Sequence, residues 1–345
     1  MLENKNILVT GGCGYIGSHV CRQLSEAGAN VTVIDNLSTG FADALINNER
    51  LIEGDVGDET LLNTVMGARK FDVVMHFAAA LLVEESVAKP IKYYQNNVEN
   101  SLHLLRAVAK HDIDKLIFSS TAAVYGEGVA MPVSEDALCK PNNPYGWSKL
   151  MIEQMIRDVA AVNDLRFVIL RYFNVAGADP ELRMGLRSRN ATHLVKLASE
   201  VATGQREKLF LFGDDYPTPD GTCLRDYIHV EDLASAHLSA ARYLDQNGES
   251  ATMNCGYGIG YSVKEVIDTY KRVNDIEFPA EVAARRAGDV SQLIANVEQI
   301  RSRLDWQPRF DDLDLIVKHA FEWEQLQKKI KSVKSSSIES HTKAA

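Results

Sequence analysis

Tyr145 and Lys149 stand four residues apart in Pro144-Tyr145-Gly146-Trp147-Ser148-Lys149, at the start of a stretch with helical character. That spacing brings two side chains onto one helix face, about 5–6 Å apart at Cβ. An ammonium beside a phenol favours the phenolate. A tyrosine, whose ordinary pKa is about 10, then becomes a base suited to neutral pH. A base needs a proton to move, so the surrounding segments must supply the reaction.

Thr121 gives the pair a partner. It follows an apolar run at 116–119 that reads as a buried strand. Ligands of open α/β sheets bind outside the carboxyl ends of the strands, so Thr121 faces the same crevice as Tyr145. A hydroxyl, a phenol and an ammonium around a nicotinamide suit hydride transfer at a carbinol carbon. The phenolate takes the hydroxyl proton and Thr121 bonds the same oxygen. Lys149 holds the ribose and keeps the phenol acidic. The oxidised ring is itself cationic and pushes the phenol the same way.

Thr10-Gly11-Gly12-Cys13-Gly14-Tyr15-Ile16-Gly17 offers that cofactor a seat between the first strand and the first helix. Gly11, Gly14 and Gly17 allow a tight turn, close approach to a pyrophosphate and close helix packing. Backbone N–H groups and the helix dipole then face the phosphates. Asp35 ends the second strand, where an acid bonds a ribose diol, and a carboxylate there repels a 2′-phosphate, favouring NAD over NADP. Asp55-Val56, after the third strand, is placed to cover the adenine. Phe77-Ala78-Ala79, after the fourth, puts small residues where a dinucleotide must pass.

These residues need a frame. Residues 7–10, 31–35, 51–53, 73–77, 116–119 and 167–170 read as six buried strands, with helices at 15–27, 59–67, 98–111 and 145–161 between them. Such alternation argues for an α/β fold, a doubly wound parallel Rossmann sheet with helices on both faces. Asp226-Tyr227-Ile228-His229-Val230 reads as a later return to this sheet. From about residue 175 the pattern loosens, with helices expected at 193–203, 263–273 and 313–327 and a short strand at 209–212. The division expected is a dinucleotide-binding domain over 1–174 with a return segment near 222–250, and a smaller mixed α/β substrate domain over 175–330. The Ser/Lys-rich stretch 331–345 reads as a disordered tail.

Composition narrows the function. The chain has 345 residues, 46% hydrophobic and 24% charged, which suits one large or two coupled domains. A net charge of −10 counts against nucleic acid or an anionic membrane as partner. Cys13, Cys21, Cys139, Cys223 and Cys255 are scattered, without the spacing of a metal site, so free thiols and no metal are expected. With no signal-peptide pattern and no 18-residue apolar stretch, the expectation is a soluble, cytoplasmic protein.

From Val9-Thr10-Gly11 to Trp323 the sequence resembles the extended short-chain dehydrogenase/reductases, and within them the nucleotide-sugar 4-epimerase family. Beyond the glycine loop and the Tyr-Lys pair, the resemblance rests on His76-Phe77-Ala78, Tyr93-Tyr94-Gln95-Asn96-Asn97, Leu170-Arg171-Tyr172-Phe173-Asn174, Tyr216-Pro217-Thr218-Pro219-Asp220-Gly221-Thr222, Arg225-Asp226-Tyr227-Ile228-His229-Val230 and Arg285-Arg286-Ala287-Gly288-Asp289. It implies NAD held through turnover and inversion of C4 of a UDP-hexose (UDP-glucose or UDP-galactose) through a transient 4-keto sugar. It implies NAD contacts from Gly11, Gly14, Tyr15, Ile16, Gly17, Asp35, Asn36, Asp55, Val56, Phe77, Ala78, Ala79, Asn96, Tyr145, Lys149 and Phe173. Thr121, Tyr145, Asn174, Leu194, Phe212, Arg225, Arg286, Asp289 and Leu293 would hold the UDP-sugar. Guanidinium forks match a diphosphate, which suits two arginines in an acidic protein. A homodimer through helices 98–111 and 145–161 is implied as well.

The chain departs from the family pattern at four places. Thr121 stands where many members have Ser, which keeps the hydroxyl. Leu81 stands where a Lys near the cofactor is common, and Thr192-His193 replaces an Asn-Asn pair. Leu293 lies between the bulky Tyr and the small Cys found at a position associated with admitting N-acetyl sugars. The competing readings are a 4-epimerase of UDP-N-acetylglucosamine or UDP-xylose, a nucleotide-sugar 4,6-dehydratase, and a non-catalytic NAD-binding sensor. A dehydratase needs an acid just after the Thr, where Ala122-Ala123 stand. A sensor has no need of all of Thr121, Tyr145 and Lys149.

Overall fold

The structure is a computed structural model that describes residues 2–188, 192–286 and 289–342, with side chains through 333. The chain runs through β1 (Asn6–Thr10), α1 (Tyr15–Glu26), β2 (Asn30–Asp35), β3 (Arg50–Glu53), α2 (Glu59–Ala68), β4 (Val73–His76), α3 (Val83–Ala88), α4 (Pro90–Tyr93), α5 (Asn100–Lys110), β5 (Lys115–Thr121), α6 (Pro144–Ala160) and β6 (Arg166–Tyr172). It continues through β7 (Asn174–Ala176), α7 (Leu194–Ala202), β8 (Leu209–Phe212), β9 (Leu224–His229), α8 (Val230–Asp245), β10 (Ala251–Cys255), β11 (Gly260–Ser262), α9 (Val263–Asn274), β12 (Ala280–Ala283), β13 (Gln292–Leu293), α10 (Glu298–Arg303) and α11 (Leu313–Thr342).

Seven strands form one parallel sheet in the order β10-β6-β5-β4-β1-β2-β3. The order reverses between β1 and β4, and the crevice at their carboxyl ends is where such sheets bind ligands. Each central strand is apolar on both faces, as a sheet covered on both sides requires. Ile7, Val9, Val33, Met75, Ile117 and Leu170 pack on one side with residues of α1 and α8, whereas Leu8, Ile34, Val74, Leu116, Phe118 and Ile169 pack on the other with α2, α5 and α6. Truncating one such side chain to Ala costs about 2–5 kcal/mol.

The seventh strand is not the one the sequence reading expected. Asp226–Val230 does not return to the large sheet. Its strand, β9, pairs with β7, β11 and β13 in a separate four-stranded sheet. The place beside β6 is taken by β10. The reason lies far along the chain: the buried Asp226 carboxylate accepts the N–H groups of Tyr257, Gly258 and Ala295, which ties β9 to the segments after β10 and before α10. A third, two-stranded sheet joins β8 to β12.

Two further differences concern helices. The expected helix at 98–111 begins as a π-helical turn, Tyr94–Glu99, and becomes α-helical at Asn100. Helix α11 continues through Thr342, so residues 331–342 are helical where a disordered tail was expected. No Gly or Pro interrupts that stretch, and extending an existing helix is far easier than starting one. Residues 343–345 of the expected tail lie outside the described residues.

Candidate active site

Helix α6 sets the Tyr-Lys pair. The Asn143 side chain caps it by accepting the Gly146 N–H at 2.9 Å, and Pro144 occupies the first turn, where its missing N–H costs nothing. The Ser148 hydroxyl donates back to the Tyr145 carbonyl at 2.7 Å and accepts from the Asn97 amide at 3.0 Å. Asn97, in the π-helical turn, also brackets Ala80 through its N–H and its carbonyl. The Tyr145 end of α6 is thereby tied to the chain just past β4. Single π-helical turns often mark functional sites.

Thr121 closes β5, and its hydroxyl accepts the Ala123 N–H at 3.1 Å. The same hydroxyl acts on the buried Tyr145 phenol and favours its ionised form. Lys149 is buried and donates to the Ser119 carbonyl at 2.7 Å, with its ammonium 4.9 Å from the centre of the Phe118 ring. The Ser119 hydroxyl bonds the Tyr172 phenol of β6. Thr121, Tyr145 and Lys149 therefore meet at the carboxyl end of β5.

The electrostatics reverse one expectation. Spacing alone suggested an acidic phenol, but in the protein by itself burial holds Tyr145 above its ordinary value, partly offset by the Thr121 hydroxyl. Burial also pushes Lys149 down to about 7, opposed by the Glu153 carboxylate one turn along α6. The cation that was to acidify the phenol is itself weakened by desolvation. His76, bonded to Thr10 and Ser101, is pushed by burial and then by Lys149 down to about 3, so it stands neutral beneath the site.

The loop before α1 fits a dinucleotide. A Cβ on Gly17 would lie 2.3 Å from the Gly11 carbonyl oxygen, and one on Gly11, at φ +74°, would lie 2.6 Å from the Ala78 nitrogen. Around Gly14 a Cβ would meet only the Gly11 oxygen, at 3.3 Å, so the outer side of the loop is open. No side chain caps the first turn of α1. Bare backbone at an uncapped helix start suits a diphosphate. The Asp35 carboxylate accepts the N–H groups of Cys13 and Leu37 at 2.9 and 2.8 Å, fixing the loop beside the end of β2. Asn36 donates to Asp55, which also takes the Gly57 N–H and the Asn100 amide.

Val56 and Phe173 are buried, and the N–H groups of Phe77 and Ala78 both bond Thr10. Ile16 and Ala79 are half-buried, and Asn96 donates to Asn97. Tyr15 instead reaches across to the Gly177 carbonyl at 2.7 Å. Leu81, at the departure from the family pattern, is half exposed.

A second cluster forms where the smaller sheets meet the crevice. The Arg286 guanidinium lies 4.6 Å from the Phe212 ring centre and donates to Asp289 at 3.1 Å. Arg225 lies 4.0 Å from the same carboxylate and pairs in register with Leu293. Asn174 pairs in register with Tyr227 between β7 and β9. Leu194 opens α7 and packs on the core. Ala287 and Gly288, within the expected Arg285–Asp289 segment, lie outside the described residues. Arg286 also reaches Glu84 of α3 at 3.6 Å, which links this cluster to the chain beyond Phe77-Ala78-Ala79.

Sequence reasoning passed over Ser119, Ser120, Glu153 and Arg171. The spacing of Tyr145, Lys149 and Glu153 at four-residue steps was the available signal for Glu153. Among the described residues, no group of three or more His, Cys, Asp or Glu could hold a metal, and no helix is long and apolar enough to cross a membrane.

This sheet order, the open loop before α1 and the Thr-Tyr-Lys set at the crevice define an extended short-chain dehydrogenase/reductase. The profile of the NAD dependent epimerase/dehydratase family matches residues 7–256, and the chain belongs to that family. It is 53% identical over 319 residues to a UDP-glucose 4-epimerase of Azospirillum brasilense, covering 92% of each chain. A UDP-glucose 4-epimerase of Brucella ovis, solved in complex with NAD, superposes with a TM-score of 0.89 at 41% identity over 92% of this chain and 98% of that one. The UDP-Glc/GlcNAc 4-epimerase of Campylobacter jejuni does so with a TM-score of 0.83 at 47% identity, over 94% of this chain and 100% of that one.

Proposed function

We propose that the protein is an NAD-dependent epimerase that inverts C4 of a UDP-hexose, interconverting UDP-glucose and UDP-galactose. The observation that carries the reading is the meeting of Thr121, at the carboxyl end of β5, with the buried Tyr145 phenol that its hydroxyl acts on and with Lys149, buried beside them and bonded to Ser119. Near-full-length relatives of that activity support the substrate.

NAD, when bound, supplies the hydride acceptor and then the donor at C4. Tyr145 takes the proton of the 4-hydroxyl and returns it after the sugar has turned over. Thr121 holds the same oxygen and favours the phenolate by hydrogen bonding. Lys149 adds positive charge beside them. Gly11, Gly14 and Gly17 seat the pyrophosphate of the cofactor, and Asp35 takes the ribose diol. Arg225 and Arg286 hold the UDP diphosphate, with Asp289 on its ribose and Phe212 against the base. Anchoring only the nucleotide leaves the hexose free to present either face.

We further infer a cytoplasmic homodimer that uses the outer faces of α5 and α6. The domain division keeps the dinucleotide on 1–174, with the returning segment shifted to α8 and β10, and the UDP-sugar mainly on the rest of 175–330. Support for the dimer comes from the exposed Leu102, Trp147 and Met151 on those helices.

The test is separate incubation with UDP-galactose, UDP-N-acetylgalactosamine and UDP-xylose, with the product sugars identified by NMR. C4 inversion of UDP-galactose without net NADH is the expected result, and the other arms rank the half-way pocket at Leu293. A 4-keto-6-deoxy product would overturn the reading in favour of a dehydratase, and no conversion in any arm would overturn it in favour of a sensor.

A further inference from the structure

Glu153 is a carboxylate without any exposure to water. Burying a charge is unfavourable unless it is fully paired. Here it takes four donors. Arg171 of β6 grips it bidentately, Nε to one oxygen at 2.9 Å and Nη2 to the other at 2.6 Å. Arg157 adds a bond of 3.0 Å, and the Ser120 hydroxyl donates at 2.6 Å. Arg171 is held in turn by donating to the Tyr125 hydroxyl and the Glu135 carbonyl, each at 3.1 Å.

The position of Ser120 gives this network its meaning. It stands between Ser119, whose carbonyl receives Lys149, and Thr121, whose hydroxyl acts on the Tyr145 phenol. It is also in register with Arg171 across the β5–β6 pair. Helix α6 is thus fastened to the end of β5 at two successive residues, by Lys149 to Ser119 and by Glu153 to Ser120. We propose that Glu153 is a positioning residue for the reaction, pinning α6 to β5 so that Thr121, Tyr145 and Lys149 keep their spacing, and setting a negative charge one helical turn from the Lys149 ammonium. This rests on the epimerase reading.

The charges around Lys149 come from several elements. Tyr145 and Glu153 share its helix, His76 faces it from β4 and stands neutral, and Tyr172 of β6 bonds Ser119. Tyr93 of α4 lies near Tyr145. Glu153 is the group that opposes burial at Lys149. Its own neighbours are Arg157, Arg171 and the Cys139 thiol. Removing the carboxylate charge leaves those arginines in place, so Lys149 surrenders its proton more readily.

The experiment measures kcat and KM for UDP-galactose across pH in the NAD-loaded protein, with Glu153→Gln, Glu153→Asp and Ser120→Ala beside the wild type. Glu153→Gln should lower kcat about 10-fold with KM unchanged and move the alkaline limb about one unit toward acid, the scale of one altered neighbouring charge. Glu153→Asp, which keeps the charge, should restore the limb while kcat stays reduced. Ser120→Ala, which strands no buried charge, should reduce kcat and leave the limb in place. It keeps the positioning claim testable should Glu153→Gln fail to fold, with Glu153→Asp then testing the charge. Profiles of Glu153→Gln and Ser120→Ala that superimpose on wild type would overturn the proposal. So would a Glu153→Gln loss with an unmoved limb, or an acid-shifted limb in Glu153→Asp. Wild-type protein that fails to convert UDP-galactose would instead refute the epimerase reading, so the two failures are distinct.

Discussion

Lys149 directs its ammonium to the carbonyl of Ser119 at 2.7 Å, within a site where burial has brought its pKa from 10.5 down to about 7. Between those two values the unfolded chain holds a proton that the native site has lost. The contribution of this lysine to stability therefore rises with pH across that window. Below it, the native protein carries the full desolvation cost of a buried cation. Lys149→Met removes that cost. In urea unfolding of NAD-free protein, the stability of the variant relative to wild type should be highest near about pH 6 and should fall steadily by about pH 9. A difference independent of pH would show that the ammonium is not desolvated.

Tyr145 carries the opposite problem. Burial raises its pKa, and the Thr121 hydroxyl recovers only part of the shift. Its use as a base then depends on positive charge arriving with the cofactor. Tyr145→Phe keeps the ring and removes the proton carrier. It should retain NAD, read from the absorbance of the purified protein, while epimerisation drops at least about 10²-fold, the usual cost of losing a general base. Near-normal turnover in this variant would end the mechanism.

Much of this was legible in the sequence, for identifiable reasons. The first six strands are β-branched or apolar runs bounded by turn residues, and each appears within a residue or two of its expected place. Strand β10, Ala251-Thr252-Met253-Asn254-Cys255, has only one β-branched residue and gives little signal. Asp226–Val230 shows a strand plainly, but nothing local tells which sheet it joins. That choice is made by Asp226 bonding backbone some 30 and 70 residues away, a long-range pairing. Glu153 sat visibly on the face of Tyr145 and Lys149, but its burial depends on Arg171 arriving from β6. Spacing shows that a phenol and an ammonium are neighbours; it does not show how far each has been taken out of water.

Gly14 and Gly17 separate binding from folding. A Cβ at Gly17 lands 2.3 Å from the Gly11 carbonyl, which is backbone and cannot swing aside. The helix gain of about 1 kcal/mol for Gly→Ala is outweighed by overpacking of about 1–3 kcal/mol. At Gly14 the backbone is extended and a Cβ meets one atom, at 3.3 Å, but it projects into the open side where the pyrophosphate is proposed to lie. Gly17→Ala should lower the melting temperature. Gly14→Ala should leave melting of the NAD-free protein nearly unchanged and weaken NAD binding about 10-fold or more by calorimetry. Equal behaviour of the two variants in both measurements would count against the placement of the pyrophosphate.

The outer faces of α5 and α6 test the assembly. Trp147 and Met151 are one turn apart on α6 and 38% and 41% exposed, and Leu102 on the neighbouring α5 is 36% exposed. Large apolar side chains grouped on adjacent helices are the composition of an interface core. If that interface is two-fold, each substitution is present twice, once from each protomer. Met151→Lys then buries two like charges with no partner, and each such burial is strongly unfavourable. The variant should dissociate at least about 10²-fold more readily, since each 1.4 kcal/mol is tenfold. Light scattering after size-exclusion chromatography should find wild type at twice the chain mass and Met151→Lys at the single-chain mass, with an unchanged circular dichroism spectrum. A wild type that runs as a monomer at micromolar concentration removes the dimer outright. A dimer that survives both Met151→Lys and Trp147→Glu uses another face, because both side chains belong to the proposed interface.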